Sequence, residues 1–111
     1  MKPALLWTPR AQEDLLEIYV TIGMDSPAAA ERMLTALEKQ AEQLRIYPRI
    51  GVRRPEIAPS ARMLVEAPYL ILYELHPDSD EGSVRQIEIV RVVHGHRDLT
   101  NLELPSKFRP E

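Results

Sequence analysis

With 111 residues, 44% of them hydrophobic and 28% charged, the chain has the size and composition of one globular domain, able to bury roughly two thirds of the surface its unfolded form exposes. The absence of cysteine excludes disulfides and thiolate metal sites and suits a reducing, cytoplasmic setting. A formal net charge of −3 argues against strong direct nucleic-acid binding through a general positive field, while leaving room for a local basic patch.

Glu66, Glu74, Arg85 and Glu88 interrupt every apolar run well short of the roughly 20 residues needed to span a bilayer, and the amino end does not read as a signal peptide. No membrane association is therefore expected. From the start of the chain, Ala4 to Trp7 reads as a short strand that runs directly into a helix, with Thr8 as N-cap and Pro9 at the first helical position. Ala11, Leu15, Ile18, Tyr19 and Ile22 then recur at helical spacing, Arg10, Glu13, Asp14 and Glu17 fall largely on other faces, and Gly23 closes the helix. Ser26-Pro27 repeats the cap, and Ala30, Met33, Leu34, Leu37, Ala41 and Leu44 carry a second, longer stripe towards Pro48. The link at Met24-Asp25 is so short that the two helices must form an antiparallel hairpin, and their apolar stripes need one face of a sheet to cover.

Between Tyr47 and Ser60 the pattern lapses into a loop with Pro48, Gly51, Pro55 and Pro59, and Arg45, Arg49, Arg53 and Arg54 crowd around it. They are either a solvated helix end, where cations suit the last turn, or a contact surface. From Arg62 to Asp98 come β-rich runs broken at Ala67-Pro68 and at the acidic tip from His76 to Ser83, the pattern of a three-stranded meander. Tyr69, Ile71, Tyr73 and Leu75 share one strand face and Leu70, Leu72 and Glu74 the other, so this run reads as a central strand. In the last run Ile87, Ile89 and Val93 alternate with Gln86, Glu88, Val90 and Val92. The order is thus strand, helix, helix, strand, strand, strand: an α+β domain with a four-stranded sheet over residues 1–98, followed by a carboxy-terminal tail, 99–111, that docks as an arm or frays.

Several stretches together carry a family resemblance: the helix opening on Ala11 to Leu15, the segment Tyr47-Pro48-Arg49-Ile50-Gly51-Val52-Arg53, Arg62, the run Tyr69-Leu-Ile-Leu-Tyr73, and Ile89-Val-Arg91-Val-Val-His94-Gly-His96-Arg97-Asp98. In order and spacing they resemble the RelE/ParE superfamily of type II toxin-antitoxin toxins, over roughly Leu5 to Asp98, and the ending His-Gly-His-Arg-Asp resembles the ParE branch. The resemblance implies a small, mostly antiparallel sheet with the helix hairpin packed on one face. It also implies a cognate ParD-like antitoxin that wraps the toxin with a flexible segment, and DNA gyrase as target. RelE-like members instead cleave messenger RNA in the ribosome.

Ribonuclease chemistry needs a base, an acid and cations for the phosphate. Arg62, Arg91 and Arg97 can supply only the cations, because an arginine stays protonated; His94 and His96 are the candidates for base and acid. RelE-like ribonucleases typically place a tyrosine near the carboxy end and lysines in the loop after the second helix. Here no tyrosine follows Tyr73 and the loop carries arginines, which favours the gyrase reading. Regular strand parity also separates Arg91 from His94 unless a bulge near Gly95 intervenes.

Each candidate has a bland alternative. Arg62 and Arg91 either staple strands through Glu66 or Asp98 or meet a ligand, and His94 and His96 either bond nearby carbonyls as turn residues or act at a surface. Arg45, Arg49, Arg53, Arg54, Tyr69, Tyr73, Arg91, His94, His96 and Arg97 are the candidates for contact with antitoxin or target. No cofactor is expected, and no metal, since no third ligand stands at a suggestive spacing from His94 and His96. Apolar positions on both sheet faces, Leu70, Leu72, Val90 and Val92, predict an open face for a partner chain. A toxin-fold protein that serves only as an interaction partner is a further alternative.

Overall fold

The computed structural model describes residues 2–104. Its elements are β1 (Ala4–Trp7), α1 (Pro9–Gly23), α2 (Pro27–Gln43), β2 (Val52–Arg53), β3 (Arg62–Glu66), β4 (Tyr69–His76), β5 (Gln86–His94) and a single 3₁₀ turn, Leu99–Asn101. They form one sheet in the order β1-β5-β4-β3-β2, in which only the β1–β5 pair is parallel. The expected α+β hairpin-on-sheet architecture is present, with one strand more than anticipated. Val52 and Arg53 lie in what reads as loop, but they pair with Met63 and Arg62; two residues are too few to leave an alternation pattern in sequence.

Both helix starts form as their cap residues dictate. Thr8 Oγ1 accepts from the Ala11 amide at 3.0 Å and Ser26 Oγ from the Ala29 amide at 3.1 Å, with proline next in each case. Tyr19 ties the two helices together by donating to Glu31 at 2.7 Å. The hairpin lays Ala11, Ile18, Leu37, Ala41 and Leu44 onto Ile71, Tyr73, Leu75, Ile87, Ile89 and Val92, and among the described residues no helix is long and apolar enough to cross a membrane.

The opposite sheet face is covered by the chain itself, which corrects the expectation of an open face. Ile57, Ala58 and Ala61 from the loop before β3, and Leu102 beyond the 3₁₀ turn, close over Leu72, Val90 and Val93. Residues 99–104 therefore dock as an arm; the rest of the tail, 105–111, lies outside the described residues. Alternation along β5 also breaks. Leu72 faces Arg91 while Tyr73 faces Ile89, so Val90 is an extra residue in a bulge and the faces exchange beyond it. Val92 consequently joins Ile87 and Ile89 under the helices, and Val93 joins Val90 on the other side.

At the bulge sits a buried ion pair. Arg91, fully buried, sends Nε to Asp14 Oδ2 at 2.7 Å and Nη2 to Asp14 Oδ1 at 3.0 Å, while its Nη1 donates to the Glu103 carbonyl at 2.7 Å. Asp14 Oδ2 also accepts the Val92 amide at 2.9 Å. The partner of Arg91 is thus Asp14 rather than Asp98, and Asp14 faces the sheet: Ala11, Asp14 and Ile18 share the i, i+3, i+7 stripe and are all buried. Removing one member of such a pair strands the other charge in the interior. Asp14→Ala is expected to cost about 3–5 kcal/mol in urea unfolding. Double-mutant analysis with Arg91→Met should show strong coupling, the double variant being less destabilised than the two single losses summed.

Candidate functional site

The sequence-predicted candidates separate into two groups at opposite ends of the β4–β5 hairpin. At one end, the acidic tip folds back onto the loop arginines. Arg49 Nε donates to the Ser79 carbonyl and its Nη2 to the Gly82 carbonyl, both at 2.9 Å. Arg53 reaches Asp80 at 2.9 Å and Asp78 at 3.1 Å, and Arg62 Nη2 stands 3.4 Å from the same Asp80 oxygen. Gly82, at φ +92°, supplies the left-handed turn that brings its carbonyl round. Arg62 is buried, and its Nε has no hydrogen-bond partner among the described residues. The other two arginines do not join this cluster: Arg45 bonds the Pro3 carbonyl and Glu42, and Arg54 pairs with Glu56.

Tyr73 fixes the loop from beneath. Fully buried, it donates to the Pro48 carbonyl at 2.8 Å and accepts the Gly51 amide at 2.9 Å, and burial pushes its phenol above the ordinary tyrosine range. A Cβ on Gly51 would fall 2.5 Å from the Tyr73 hydroxyl and 2.9 Å from the Met63 carbonyl, so only glycine admits this approach. Tyr73 is thereby withdrawn from the surface, as is Arg91.

At the other end of the hairpin, Tyr69 pairs with His94 in register and meets its ring edge-on, with centroids 5.5 Å apart. His94 and His96 stack at 4.8 Å, and the His96 amide donates to His94 Nδ1 at 3.2 Å, an arrangement that needs Nδ1 unprotonated and leaves any ring proton on Nε2. With Arg97 the two rings are exposed beside a cleft of about 220 Å³ that Tyr69, Ile18, Thr21 and Glu17 also line. Arg62 lies opposite Tyr73 on β4, whereas His94 lies opposite Tyr69. Four residues of strand set these two ends roughly 13 Å apart. The ribonuclease candidates Arg62, Arg91, His94, His96 and Arg97 therefore do not converge on one point.

Sequence reasoning missed the apolar surface on the loop side. Ile46, Tyr47, Ile50 and Val52 are all more than half exposed, and residues 46–50 line an open cleft of about 390 Å³ next to the short edge strand β2. The run Ile46-Tyr47 after the last position of the helical stripe was the available signal.

The clasp between Arg53 and Asp80 has a titratable consequence. The hydrogen bond and charge of Arg53 hold the Asp80 carboxyl below the usual aspartate range. Because its folded value is depressed, the stabilisation is present above the unfolded value and is lost as pH falls through the folded one. Arg53→Ala is expected to return the Asp80 titration, followed by carbon NMR of its carboxyl, to the ordinary range. Protein with Arg53 intact should show the hairpin tip loosening only on acidification below that range.

Residues 5–99 match the family described as the ParE toxin of type II toxin-antitoxin system, parDE. Over 93 residues the chain is 38% identical to Toxin RelE2 of Caulobacter vibrioides, covering 84% of this chain and 96% of that protein. It is 37% identical over 93 residues to the protein named Y4kP of Sinorhizobium fredii, covering 82% of this chain and 86% of that protein. Among solved structures, a chain of the chromosomal ParDE toxin-antitoxin system from P. aeruginosa superimposes with a TM-score of 0.66 at 25% identity, over 84% of this chain and 96% of that one. A match that spans both helices and every strand, with relatives aligned over nearly their full length, makes this chain a member of the ParE toxin family of type II toxin-antitoxin systems.

Proposed function

We propose that the protein acts as a toxin by binding DNA gyrase, and that a cognate ParD-like antitoxin neutralises it. The observation that carries this reading is the dispersal of the groups a ribonuclease would need. Arg91 is held by Asp14 in the interior, and Arg62 lies beneath the acidic tip. The exposed imidazoles stand at the far end with Arg97 as their nearby cation. Phosphoryl transfer through a 2′-hydroxyl depends on base, acid and cations meeting around one phosphorus, whereas a surface that binds a protein has no such requirement. The absence of any tyrosine after Tyr73 and the ParDE system to which the structural relative belongs support the same reading.

The antitoxin has two kinds of surface to use. The exposed apolar group Ile46, Tyr47, Ile50 and Val52 beside edge strand β2 suits an added strand or helix. His94, His96 and Arg97 offer polar contacts at the other end. A second reading, ribosome-dependent messenger RNA cleavage, draws on the similarity to a protein named Toxin RelE2 and on the exposed His94 and His96 pair.

Histidine substitutions separate the two. In a gyrase-binding toxin, His94→Ala and His96→Ala should each weaken growth arrest and inhibition of supercoiling modestly, by the roughly 1 kcal/mol expected of most single interface truncations. Messenger RNA should stay intact in cells that express the protein. A general acid or base would instead lose roughly 10²- to 10⁴-fold in rate. Transcripts cut within codons, with cutting abolished in either folded histidine variant, would replace the gyrase reading with the ribonuclease one.

A further inference from the structure

On the sheet face away from the helices, Glu74 of β4 lies directly opposite Glu88 of β5. Two like charges in that position disfavour the pairing of the strands. Two residues along β4, on the same face, His76 turns its ring towards both: Nε2 is 2.9 Å from Glu74 Oε1 and 3.1 Å from Glu88 Oε1. One imidazole nitrogen carries a single proton or a single lone pair, so it cannot make two good hydrogen bonds along one axis. What the three side chains do have is a common point. One ligand atom from each lies within 4.8 Å of the others, and this is the one group of three such residues among the described residues.

We infer that Glu74, His76 and Glu88 form a binding site for a divalent transition-metal ion of the zinc class. A tetrahedral ion with bonds of about 2.0–2.2 Å holds its ligands roughly 3.3 Å apart; His76 Nε2 already stands near that distance from both carboxylates, and the two carboxylate oxygens would close from within 4.8 Å of each other by up to roughly 1.5 Å, through rotation of their glutamate side chains, to put three ligands around one ion. The donor set selects the class: an imidazole nitrogen suits zinc and its first-row neighbours better than calcium or magnesium, and two carboxylates supply compensating charge. An outer shell is in place, because Ser60 Oγ donates to Glu74 Oε2 at 2.6 Å and orients that carboxylate. Glu74 and Glu88 are largely buried, whereas His76 is 38% exposed, which gives the ion an entry path and leaves a position for water. The ligands come from two adjacent strands, so the ion would fasten the β4–β5 hairpin just below the tip that Arg49, Arg53 and Arg62 clasp, and would raise stability by binding the folded state alone. The site is separate from His94 and His96, which sit at the opposite end of both strands.

The test is titration of the untagged full chain with zinc chloride by calorimetry, with melting temperature read in parallel. The expected result is one ion per chain, a zinc-dependent rise in melting temperature, and tetrahedral absorption bands when cobalt(II) replaces zinc. His76→Ala and Glu88→Gln, each checked for native circular dichroism, should weaken zinc affinity by at least about tenfold, while the His94→Ala/His96→Ala double variant should retain it. Absence of saturable one-to-one binding, undiminished affinity in folded His76→Ala, or loss of binding in the His94/His96 double variant would each overturn the site.

Discussion

The fork between Asp14 and Arg91 is the contact on which the arrangement of the other elements depends. β1 ends at Trp7, level with Ile89, and leaves the upper half of β5 with an edge that no strand among the described residues pairs on that side. The first helix fills the gap with side chains. Thr8 Oγ1 donates to the Val90 carbonyl at 2.8 Å and Asp14 accepts the Val92 amide, so the N-cap of α1 and one residue within it continue a ladder that the strand has abandoned. Buried backbone groups must find partners, and here a helix cap and a carboxylate supply them. Arg91 then neutralises Asp14 and reaches the Glu103 carbonyl, which ties the carboxy-terminal arm to the same point. Helix, strand edge and arm are positioned by one charge pair.

Such a pair contributes less to net stability than its distances suggest. Desolvating both ions costs several kcal/mol each, and apolar residues of similar shape often do as well. The Asp14–Arg91 geometry specifies rather than merely stabilises. The bulge at Val90 brings Val92 to the helix-side core and sets Arg91 opposite Leu72, where it meets both Asp14 and the Glu103 carbonyl; a regular strand would have sent Val92 to the other face. The half-buried Arg10, 3.4 Å from Asp14, adds a partly screened contact of small weight.

The loop arginines illustrate how internal neutralisation changes what a basic stretch can do. Arg45, Arg49, Arg53 and Arg54 look in sequence like a patch awaiting an acidic partner. In the folded chain the acidic tip of the neighbouring hairpin occupies Arg49 and Arg53, and Arg45 and Arg54 pair elsewhere. This end of the molecule is thus a charge-balanced surface with exposed Ile46, Tyr47, Ile50 and Val52, which offers apolar area more than net charge.

Local chemistry was legible in the sequence wherever it is decided within a few residues. The Thr8-Pro9 and Ser26-Pro27 caps, the helical stripes, the Met24-Asp25 link and the three β-rich runs each act over one turn or one strand, and each forms where its residues dictate. The family resemblance was legible for a related reason, since its motifs lie along the chain in order. Tertiary structure alone decided the features that need two distant segments to meet. The bulge at Val90 accompanies the meeting of Arg91 with Asp14, 77 positions away in the chain. Closure of the second sheet face requires residues 57–61 and Leu102 to arrive from opposite ends of the meander, and the acidic tip finds the arginines only once β4 and β5 have paired. Periodicity records which side of its own element a residue occupies. It carries no information about which distant charge will stand across from it, and for that reason Arg62 and Arg91 read in sequence equally as strand staples or ligand contacts and Tyr73 as a contact for a partner, and folding drew all three inside.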